Sequence, residues 1–323
     1  MKKLLRIASY LLGGLLIAAF AGILYLTLAL PNVGTAPADY QVSSSQEKIE
    51  HGKYLANHVL QCVDCHSKRD FSLFSGPPVP GTEASGGEVF DQTMGFPGTF
   101  ISPNITPFGI GEWTDGELFR LITTGVKKDG NPIFPIMPYH NYGKIDQEDI
   151  EAVVAYLRTL KPIPSNHPAS NPDFPFSLIM RTMPAKASFT KKPQPEDEVA
   201  YGAYLVTASS CGDCHTKFEN GTYVGEPLAG GREFSFPAGV LRSSNLTPHA
   251  NGLGNWTEDM FVQKFKSYAN HGELAHVGPG DFQSIMPWYM YSGMKEADIR
   301  AIYKYLKSLS PVNNTVEKFS ATG

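Results

Sequence analysis

Two short motifs in the sequence combine cysteine with histidine at a spacing that suits covalent attachment of a haem. The four cysteines of the chain lie in two CxxCH motifs, at residues 62–66 and 211–215. In a c-type haem site the two thiols form thioethers with the vinyl groups, and the adjacent histidine binds the iron. The motifs therefore predict two covalently attached haem c groups. The expected binding residues are Cys62, Cys65 and His66 for the first haem, and Cys211, Cys214 and His215 for the second.

A zinc site and a redox-active dithiol use the same CxxC spacing. Zinc needs a fourth ligand, and neither motif has an obvious further Cys or His in the usual pairing. A thioredoxin-like dithiol is expected beside a βαβ pattern, which the sequence does not show. Haem attachment is therefore the favoured interpretation of both motifs.

A methionine lies at the same distance from the histidine of each motif. Met137 follows His66 by 71 residues, and Met286 follows His215 by 71 residues. A methionine opposite the histidine makes the iron six-coordinate and raises its reduction potential, which suits electron transfer without substrate binding. We therefore expect Met137 and Met286 to be the distal iron ligands. The alternative distal ligands are His140 in the first half, and His271 or His276 in the second.

The similarity between the two halves of the chain extends far beyond the motifs. After each motif come NITP or NLTP, then GIGEWT or GLGNWT, and then Ile-Met-Pro before a final helical pattern. A period of about 149 residues indicates a duplicated domain and not a short-repeat solenoid. We expect one domain at residues 45–162 (repeat 1) and one at 198–311 (repeat 2). A proline-rich connector at 163–197 joins them, its apolar segment 174–183 is expected to pack across both, and a tail follows at 312–323.

Helical periodicity is the clearest secondary-structure pattern outside the motifs. Capping boxes at residues 44–47 and 114–117 predict two helix starts, and the second helix is expected to end near Gly125. The last segment of each repeat has apolar residues at i, i+3, i+4 and i+7, and Pro162 or Pro311 follows it. Since no strand alternation is visible, we expect an all-α fold with long loops around each haem.

The chain begins with a stretch long enough to cross a membrane as a helix. Lys2, Lys3 and Arg6 precede residues 7–30, which carry no charge. This run exceeds the length of a signal-peptide core, and the basic residues before it favour a cytoplasmic N-terminus. We expect residues 1–36 to hold a cytoplasmic tip, a single-pass anchor in the cell inner membrane and the start of a linker, with the haem domains on the periplasmic side. A cleaved signal peptide is the alternative.

Each half of the chain resembles a class I cytochrome c domain. The shared features are a glycine and an aromatic residue in the first helix (Gly52 and Tyr54, Gly202 and Tyr204), then CxxCH, Met-Pro and a closing helix. The NITP, GxGxWT and Met-Pro-aromatic series over residues 45–311 is similar to the cytochrome c subunit of membrane-bound alcohol, aldehyde and gluconate dehydrogenases. That resemblance implies a subunit that takes electrons from a dehydrogenase and passes them to ubiquinone or a later carrier. The family usually carries three haems, whereas this chain has two motifs.

These observations favour an electron carrier over an enzyme. The expected function is single-electron transfer in a respiratory chain, from a dehydrogenase or quinol-oxidising complex to a cytochrome or terminal oxidase. The net charge of -4 offers no basic field for nucleic acid, so redox proteins are the expected partners. The alternative is a dihaem cytochrome c peroxidase, which would need an open position at one iron.

Overall fold

The computed structural model describes residues 1–236 and 238–321, so the last two positions of the expected tail lie outside it. Helices form most of its regular structure. The α-helices are α1 (Lys2–Leu28), α2 (Gln46–Tyr54), α3 (Cys62–Cys65), α4 (Pro107–Ile110), α5 (Asp115–Thr124), α6 (Tyr139–Tyr142), α7 (Gln147–Thr159), α8 (Phe176–Ile179), α9 (Glu198–Ala208), α10 (Cys211–His215), α11 (Glu258–Lys266), α12 (Trp288–Ser292) and α13 (Glu296–Ser308). A π-helix occupies Leu55–Val59, and 3-10 helices occupy Gln92–Met94, Met180–Thr182 and His271–Glu273.

Short strands lie among the loops, so the expectation of an all-α fold is met only in part. The strands are β1 (Val89–Phe90), β2 (Gly98–Ile101), β3 (Asn171–Pro172), β4 (Phe218–Glu219), β5 (Thr222–Tyr223), β6 (Glu233–Phe236), β7 (Gly239–Arg242) and β8 (Phe319–Ala321). They pair antiparallel in the orders β1-β2-β3, β4-β5 and β6-β7-β8. Strands of two to four residues are too short for an apolar alternation to be visible in the sequence.

The first and last helices of each repeat pack directly against each other. A glycine lies at each crossing: a Cβ at Gly52 would be 1.8 Å from the carbonyl oxygen of Ala152, and one at Gly202 would be 2.0 Å from that of Ala301. Because glycine lacks this atom, the backbones of α2 and α7, and of α9 and α13, can approach closely. The glycine of the sequence resemblance is therefore a packing residue.

Gly202→Ala should destabilise repeat 2, because its methyl group would overlap the Ala301 carbonyl. Overpacking of this kind costs about 1–3 kcal/mol, and each kcal/mol lowers the unfolding temperature of a chain of this size by about 2–4 °C. The measurement is thermal unfolding followed by circular dichroism. Gly272→Ala is the matched control, since a Cβ there meets nothing closer than 3.6 Å. Equal midpoints for the two variants would contradict the packing role of Gly202.

Several predicted helix boundaries are confirmed. Thr114 and Glu117 form the expected capping box, and α5 ends at Gly125, which has a φ of 76°. The closing helices α7 and α13 end before Pro162 and Pro311, and their apolar stripes are buried. The first cap is displaced by one residue: Ser45, and not Ser44, accepts a hydrogen bond from the backbone of Lys48.

The first helix of repeat 1 contains one residue more than its counterpart in repeat 2. Gly52 and Gly202 are 150 positions apart, whereas Cys62 and Cys211 are 149 apart. The π-helix at Leu55–Val59 lies between these two reference points, and α9 of repeat 2 is a regular α-helix. A π-helical turn is how an α-helix accommodates a single inserted residue. The insertion therefore leaves both the glycine crossing and the CxxCH motif in place.

The two repeats contact each other through reciprocal hydrogen bonds. The Tyr54 hydroxyl donates to Oδ2 of Asp298 at 2.5 Å, and the Tyr204 hydroxyl donates to Oδ2 of Asp149 at 2.6 Å. Each hydroxyl also accepts a backbone N–H of the opposite repeat, from Lys295 at 3.1 Å and from Asp146 at 3.0 Å respectively. Burial and the neighbouring carboxylates raise the pKa of both phenols, so both remain neutral donors.

The apolar connector segment 174–183 packs on repeat 1. Met180 is buried with Phe90 and Phe100, and Phe176 and Met183 lie beside them. Among the described residues this cluster contains no side chain of repeat 2, in contrast to the expected packing across both repeats. The connector thus holds its apolar surface on one repeat only.

Helix α1 is long and apolar enough to cross a membrane, with a mean hydropathy of 2.3 over its most apolar window and no buried residue. Its C-terminal end meets the connector at Arg181. The guanidinium of Arg181 donates to the carbonyls of Leu26, Thr27 and Leu30 at 2.8–3.1 Å, and to Oδ1 of Asn131 at 3.0 Å. A cation at this end satisfies free carbonyls and complements the helix dipole.

Candidate cofactor sites at the two CxxCH motifs

Each CxxCH motif begins immediately after a residue in the left-handed conformation. Gln61 has a φ of 58° and precedes α3, and Ser210 has a φ of 54° and precedes α10. This backbone conformation is uncommon for residues other than glycine. It turns the chain sharply between the first helix of the repeat and the motif, and it recurs at matching positions.

The histidine of each motif is oriented by a backbone carbonyl. Nδ1 of His66 donates to the carbonyl of Pro103 at 2.8 Å, and Nδ1 of His215 donates to the carbonyl of Ser244 at 2.7 Å. A hydrogen bond from Nδ1 fixes the tautomer in which Nε2 is free to bind a metal. Desolvation lowers the pKa of both imidazoles, which favours the neutral form needed for ligation.

The cysteines have the properties of neutral thiols; Cys62, Cys65 and Cys211 are partly buried and Cys214 is exposed. All four are free, and burial raises the pKa of Cys62, Cys65 and Cys211 to about 12 and also raises that of Cys214. A redox-active dithiol has a lowered thiol pKa, so the shift argues against that alternative. Nor does any group of three or more Cys, His, Asp or Glu side chains converge as a metal site within residues 1–236 and 238–321. This argues against structural zinc.

The two candidate distal methionines lie in the same type of turn. The backbone N–H of Tyr139 donates to the carbonyl of Met137 at 2.8 Å, and that of Trp288 donates to the carbonyl of Met286 at 2.8 Å. The intervening prolines have φ and ψ near -80° and 53–65°, values of an inverse γ-turn. Both methionines are partly buried against the core.

A tyrosine in each repeat ties the methionine turn to the CxxCH motif. The hydroxyl of Tyr142 donates to the carbonyl of Leu60 at 2.6 Å, and that of Tyr291 donates to the carbonyl of Ser209 at 2.9 Å. Each tyrosine lies five positions after its methionine, and each carbonyl lies two positions before the first cysteine. The segments carrying the two expected axial ligands are therefore fastened to each other in both repeats.

The remaining surroundings of the motifs suit a flat apolar group. A set of hydrophobic side chains in each repeat packs on the core while staying only partly buried. These are Cys62, Ile105, Trp113 and Met137 in repeat 1, and Cys211, Leu246, Trp256 and Met286 in repeat 2. Together with the free Nε2 of each histidine, this donor set fits a haem c held by two thioethers.

The alternative distal ligand in repeat 1 is engaged elsewhere. Nε2 of His140 lies 3.0–3.1 Å from the carboxylate oxygens of Asp213, and the side-chain amide of Asn141 donates to the same carboxylate at 3.0 Å. Asp213 belongs to the second motif, so these contacts join it to the segment that follows Met137. In repeat 2 the ring of His271 packs on Tyr289, and the backbone of His276 bridges to Leu73.

The paired asparagines of the NITP and NLTP segments build turns. Oδ1 of Asn104 accepts from the backbone and hydroxyl of Thr106, and its amide donates to the carbonyl of Ile163 at 2.8 Å. Asn245 makes the same bonds to Thr247 and to the carbonyl of Val312. The turn places the carbonyl just before each asparagine at the motif histidine. Its role is thus to orient the histidine indirectly.

Sequence reasoning missed the residues that join the repeats. The sequence resemblance marks Tyr54 and Tyr204 only as aromatic positions of the first helix, and it does not include their partners Asp298 and Asp149. All four recur at matching positions, so a comparison of polar residues between the repeats would have indicated them. A comparison of the repeats could not indicate the contacts of Arg181, because no counterpart of α1 precedes repeat 2.

Comparison with known proteins supports the assignment made from geometry. Residues 199–310 match the sequence model of the cytochrome c family. The chain is 32% identical over 289 residues to the cytochrome c subunit of alcohol dehydrogenase (quinone) from Gluconacetobacter polyoxogenes, covering 82% of this chain and 56% of that protein. It is 29% identical to the cytochrome subunit of fructose dehydrogenase from Gluconobacter japonicus, covering 92% of this chain and 61% of that protein.

A shorter relative matches over more of its own length. The diheme cytochrome c-type protein of Cereibacter sphaeroides is 28% identical, with 78% of this chain and 82% of that protein covered. Against the dehydrogenase subunits, this chain spans only about three fifths of the relative's length. The chain contains a cytochrome c domain in residues 199–310, and it is similar over most of its length to the cytochrome c subunits of dehydrogenases.

Proposed function

We propose that this chain is a membrane-anchored dihaem cytochrome c that transfers single electrons. Its donor is a dehydrogenase or quinol-oxidising respiratory complex, and its acceptor is a cytochrome or terminal oxidase. The observation that carries the proposal is the repetition of one donor arrangement: a carbonyl-oriented histidine, two free thiols and a methionine in a proline turn. The similarity to dehydrogenase cytochrome subunits supports the class of partner.

Each repeat supplies a complete set of haem-binding residues in this proposal. Cys62 and Cys65 would hold the first haem by thioethers, with His66 and Met137 as its axial ligands. Cys211 and Cys214 would hold the second, with His215 and Met286. A bound haem c supplies a one-electron couple. The residues of this chain would orient the imidazole, supply the thiols for the thioethers and present the methionine sulfur, which would leave neither iron an open position for substrate.

The contacts between the repeats favour direct transfer between the two haems. Asp213, inside the second motif, binds His140 and Asn141 just after Met137 of repeat 1. The Tyr291 phenol lies near both Cys211 and Gln61, so it stands between the two motifs. The haems would therefore be neighbours across one interface, and an electron could pass between them without leaving the chain.

Retention of α1 as a single-pass inner-membrane anchor is part of the proposal, with both repeats on the periplasmic side. Arg181 supports it, because its guanidinium donates three hydrogen bonds to carbonyls at the end of α1 and one to Asn131 of repeat 1. A mature chain that had lost α1 would leave this partly buried guanidinium without three of its partners. Hydrogen bonds to a charged group contribute about 1.5–3 kcal/mol each.

Arg181→Ala should loosen the junction between α1 and repeat 1 in the membrane-bound chain. If the free energy of local opening at this junction falls by about 1.5 kcal/mol, the proteolysis rate of the 29–45 segment rises about tenfold. The measurement is limited proteolysis of the chain in detergent or nanodiscs. Lys186→Ala, at an exposed basic residue of the same connector, is the control. Equal rates for both variants would contradict the role of Arg181 in holding the end of α1 to repeat 1.

The test of the proposed function is a potentiometric titration of the purified chain followed by visible spectroscopy. We expect two low-spin haems at high potential, both with the weak absorbance of methionine-bound ferric iron. A high-spin haem, or one that titrates far below the other, would reveal an exchangeable position. That outcome would favour the dihaem peroxidase over the carrier.

A further inference from the structure

A loop of repeat 1 runs along the segment of repeat 2 that carries Met286. The backbone N–H of Phe74 donates to the carbonyl of Ala275 at 2.8 Å, and that of Val277 donates to the carbonyl of Ser72 at 2.8 Å. These bonds form an antiparallel bridge between loops of different repeats. The bridge brings repeat 1 to within a few residues of a proposed iron ligand in repeat 2.

The side chain of Gln283 fastens the two loops together. Its Oε1 accepts the backbone N–H of Ser75 at 2.8 Å, and its Nε2 donates to the carbonyls of Phe71 and Leu73, both at 3.0 Å. Gln283 is buried, so if its amide is removed, water does not replace it as a partner for these backbone groups. The corresponding position of repeat 1, 149 residues earlier, is Phe134, which lies in the apolar cluster.

Ser75 connects the same loop to the methionine turn itself. Its hydroxyl donates to the carbonyl of Met286 at 2.6 Å and accepts the backbone N–H of Trp288 at 2.9 Å. The residue is 1% exposed and has a φ of 72°, so it occupies an unusual backbone conformation in a closed site. In the described part of the chain, no side chain makes the corresponding pair of hydrogen bonds to the Met137 carbonyl and the Tyr139 N–H, which bond to each other at 2.8 Å.

We propose that Ser75 and Gln283 are positioning residues for Met286, so that repeat 1 sets the placement of the distal ligand of the second haem. This inference rests on the proposed function, in which Met286 binds iron. The hydroxyl of Ser75 spans both ends of the Met-Pro-Trp turn, and Gln283 holds the loop that carries this hydroxyl. Without them the turn loses the hydroxyl that bridges the Met286 carbonyl and the Trp288 N–H, and Met286 would leave the iron more readily. Repeat 2 makes no matching bond to the turn at Met137 among the described residues; its Asp213 instead binds His140 and Asn141, which follow that turn.

The experiment measures how easily an external ligand displaces each methionine. Imidazole is titrated into the oxidised full-length chain, and the two reduction steps are measured separately. Met286→Ala identifies the step that belongs to the second haem. Ser75→Ala and Gln283→Met remove the two sets of contacts. Ser72→Ala is the matched control, because its hydroxyl makes a solvent-exposed hydrogen bond to Asp70 within the same loop.

Ser75→Ala and Gln283→Met should each raise the affinity of the second haem for imidazole about tenfold, as expected from the loss of a buried hydrogen bond. Each should also lower the reduction potential of that haem. The first haem and the Ser72→Ala control should not change. If Met286→Ala lowers the reduction potential of the second haem while Ser75→Ala and Gln283→Met leave it unchanged, the positioning role is refuted and the proposed function stands. If Met286→Ala itself changes nothing, the ligand assignment fails and this inference fails with it. Should Gln283→Met not fold, Ser75→Ala alone decides between these outcomes.

Discussion

Replacing Cys211 and Cys214 together with alanine should reduce the covalent haem content from two to one per chain. Without the thiols no thioether can form, and a single histidine bond does not hold a haem through denaturation. The measurement is a pyridine haemochrome assay normalised to protein, together with the mass of the denatured chain. The matched variant is the pair Cys62→Ala and Cys65→Ala, which should remove the other haem.

The two double variants also test whether the repeats are independent sites. Each should retain one haem with the spectrum and potential of the repeat left intact. A denatured chain that still carries two haems after loss of Cys211 and Cys214 would refute attachment at the second motif. Loss of both haems from soluble, folded protein would instead show that the sites are filled in an obligatory order.

Met137→Ala and Met286→Ala should each lower the potential of one haem and leave its covalent attachment intact. Exchange of methionine for water or another ligand removes the feature that raises the potential of His/Met iron. We expect a fall of more than about 59 mV, a tenfold change in a one-electron equilibrium. The absorbance of methionine-bound ferric iron should fall by half in each variant.

The control for the methionine series is Met260→Ala. This residue is half exposed on α11 and belongs to neither methionine turn, so its removal should leave both potentials unchanged. If a Met137 or Met286 variant keeps both potentials, the axial ligand is another residue. His271 would then be the first to examine in repeat 2, because its buried Nε2 has no hydrogen-bond partner among the described residues.

Features that depend on local periodicity were predictable from the sequence. The closing helices, the Thr114 capping box and the stop at Gly125 each follow from residues within one or two turns of each other. The strands β3 and β8 were not predictable in this way. They form because the connector and the tail return to β2 and β7, where Gly98 and Gly239 allow another backbone to approach within 2.6 Å of an added Cβ.

In the candidate sites, too, only some of the features were predictable from the sequence. The CxxCH motifs and the equal spacing of the two methionines could be read from the chain, since the duplication repeats them. The hydrogen bonds from Ser75 and Gln283 join residues more than 200 positions apart and occur in one direction only. No repeat comparison could reveal a contact that only one repeat makes. The π-helix is an intermediate case. The sequence shows the inserted residue, because the distance between matching positions of the repeats falls from 150 at the glycines to 149 at the cysteines.

The reciprocal Tyr–Asp pairs have the form of an isologous interface, in which residue i of one copy meets residue j of the other and the reverse contact also occurs. Interfaces of this kind belong to symmetric homodimers. Tyr54 with Asp298 and Tyr204 with Asp149 would be one contact repeated by a two-fold axis if the repeats were separate chains. The two repeats of this chain thus meet in the way that two copies of a symmetric dimer would. The Ser75 and Gln283 contacts break this symmetry, because only repeat 1 supplies such a loop to the methionine turn of the other repeat.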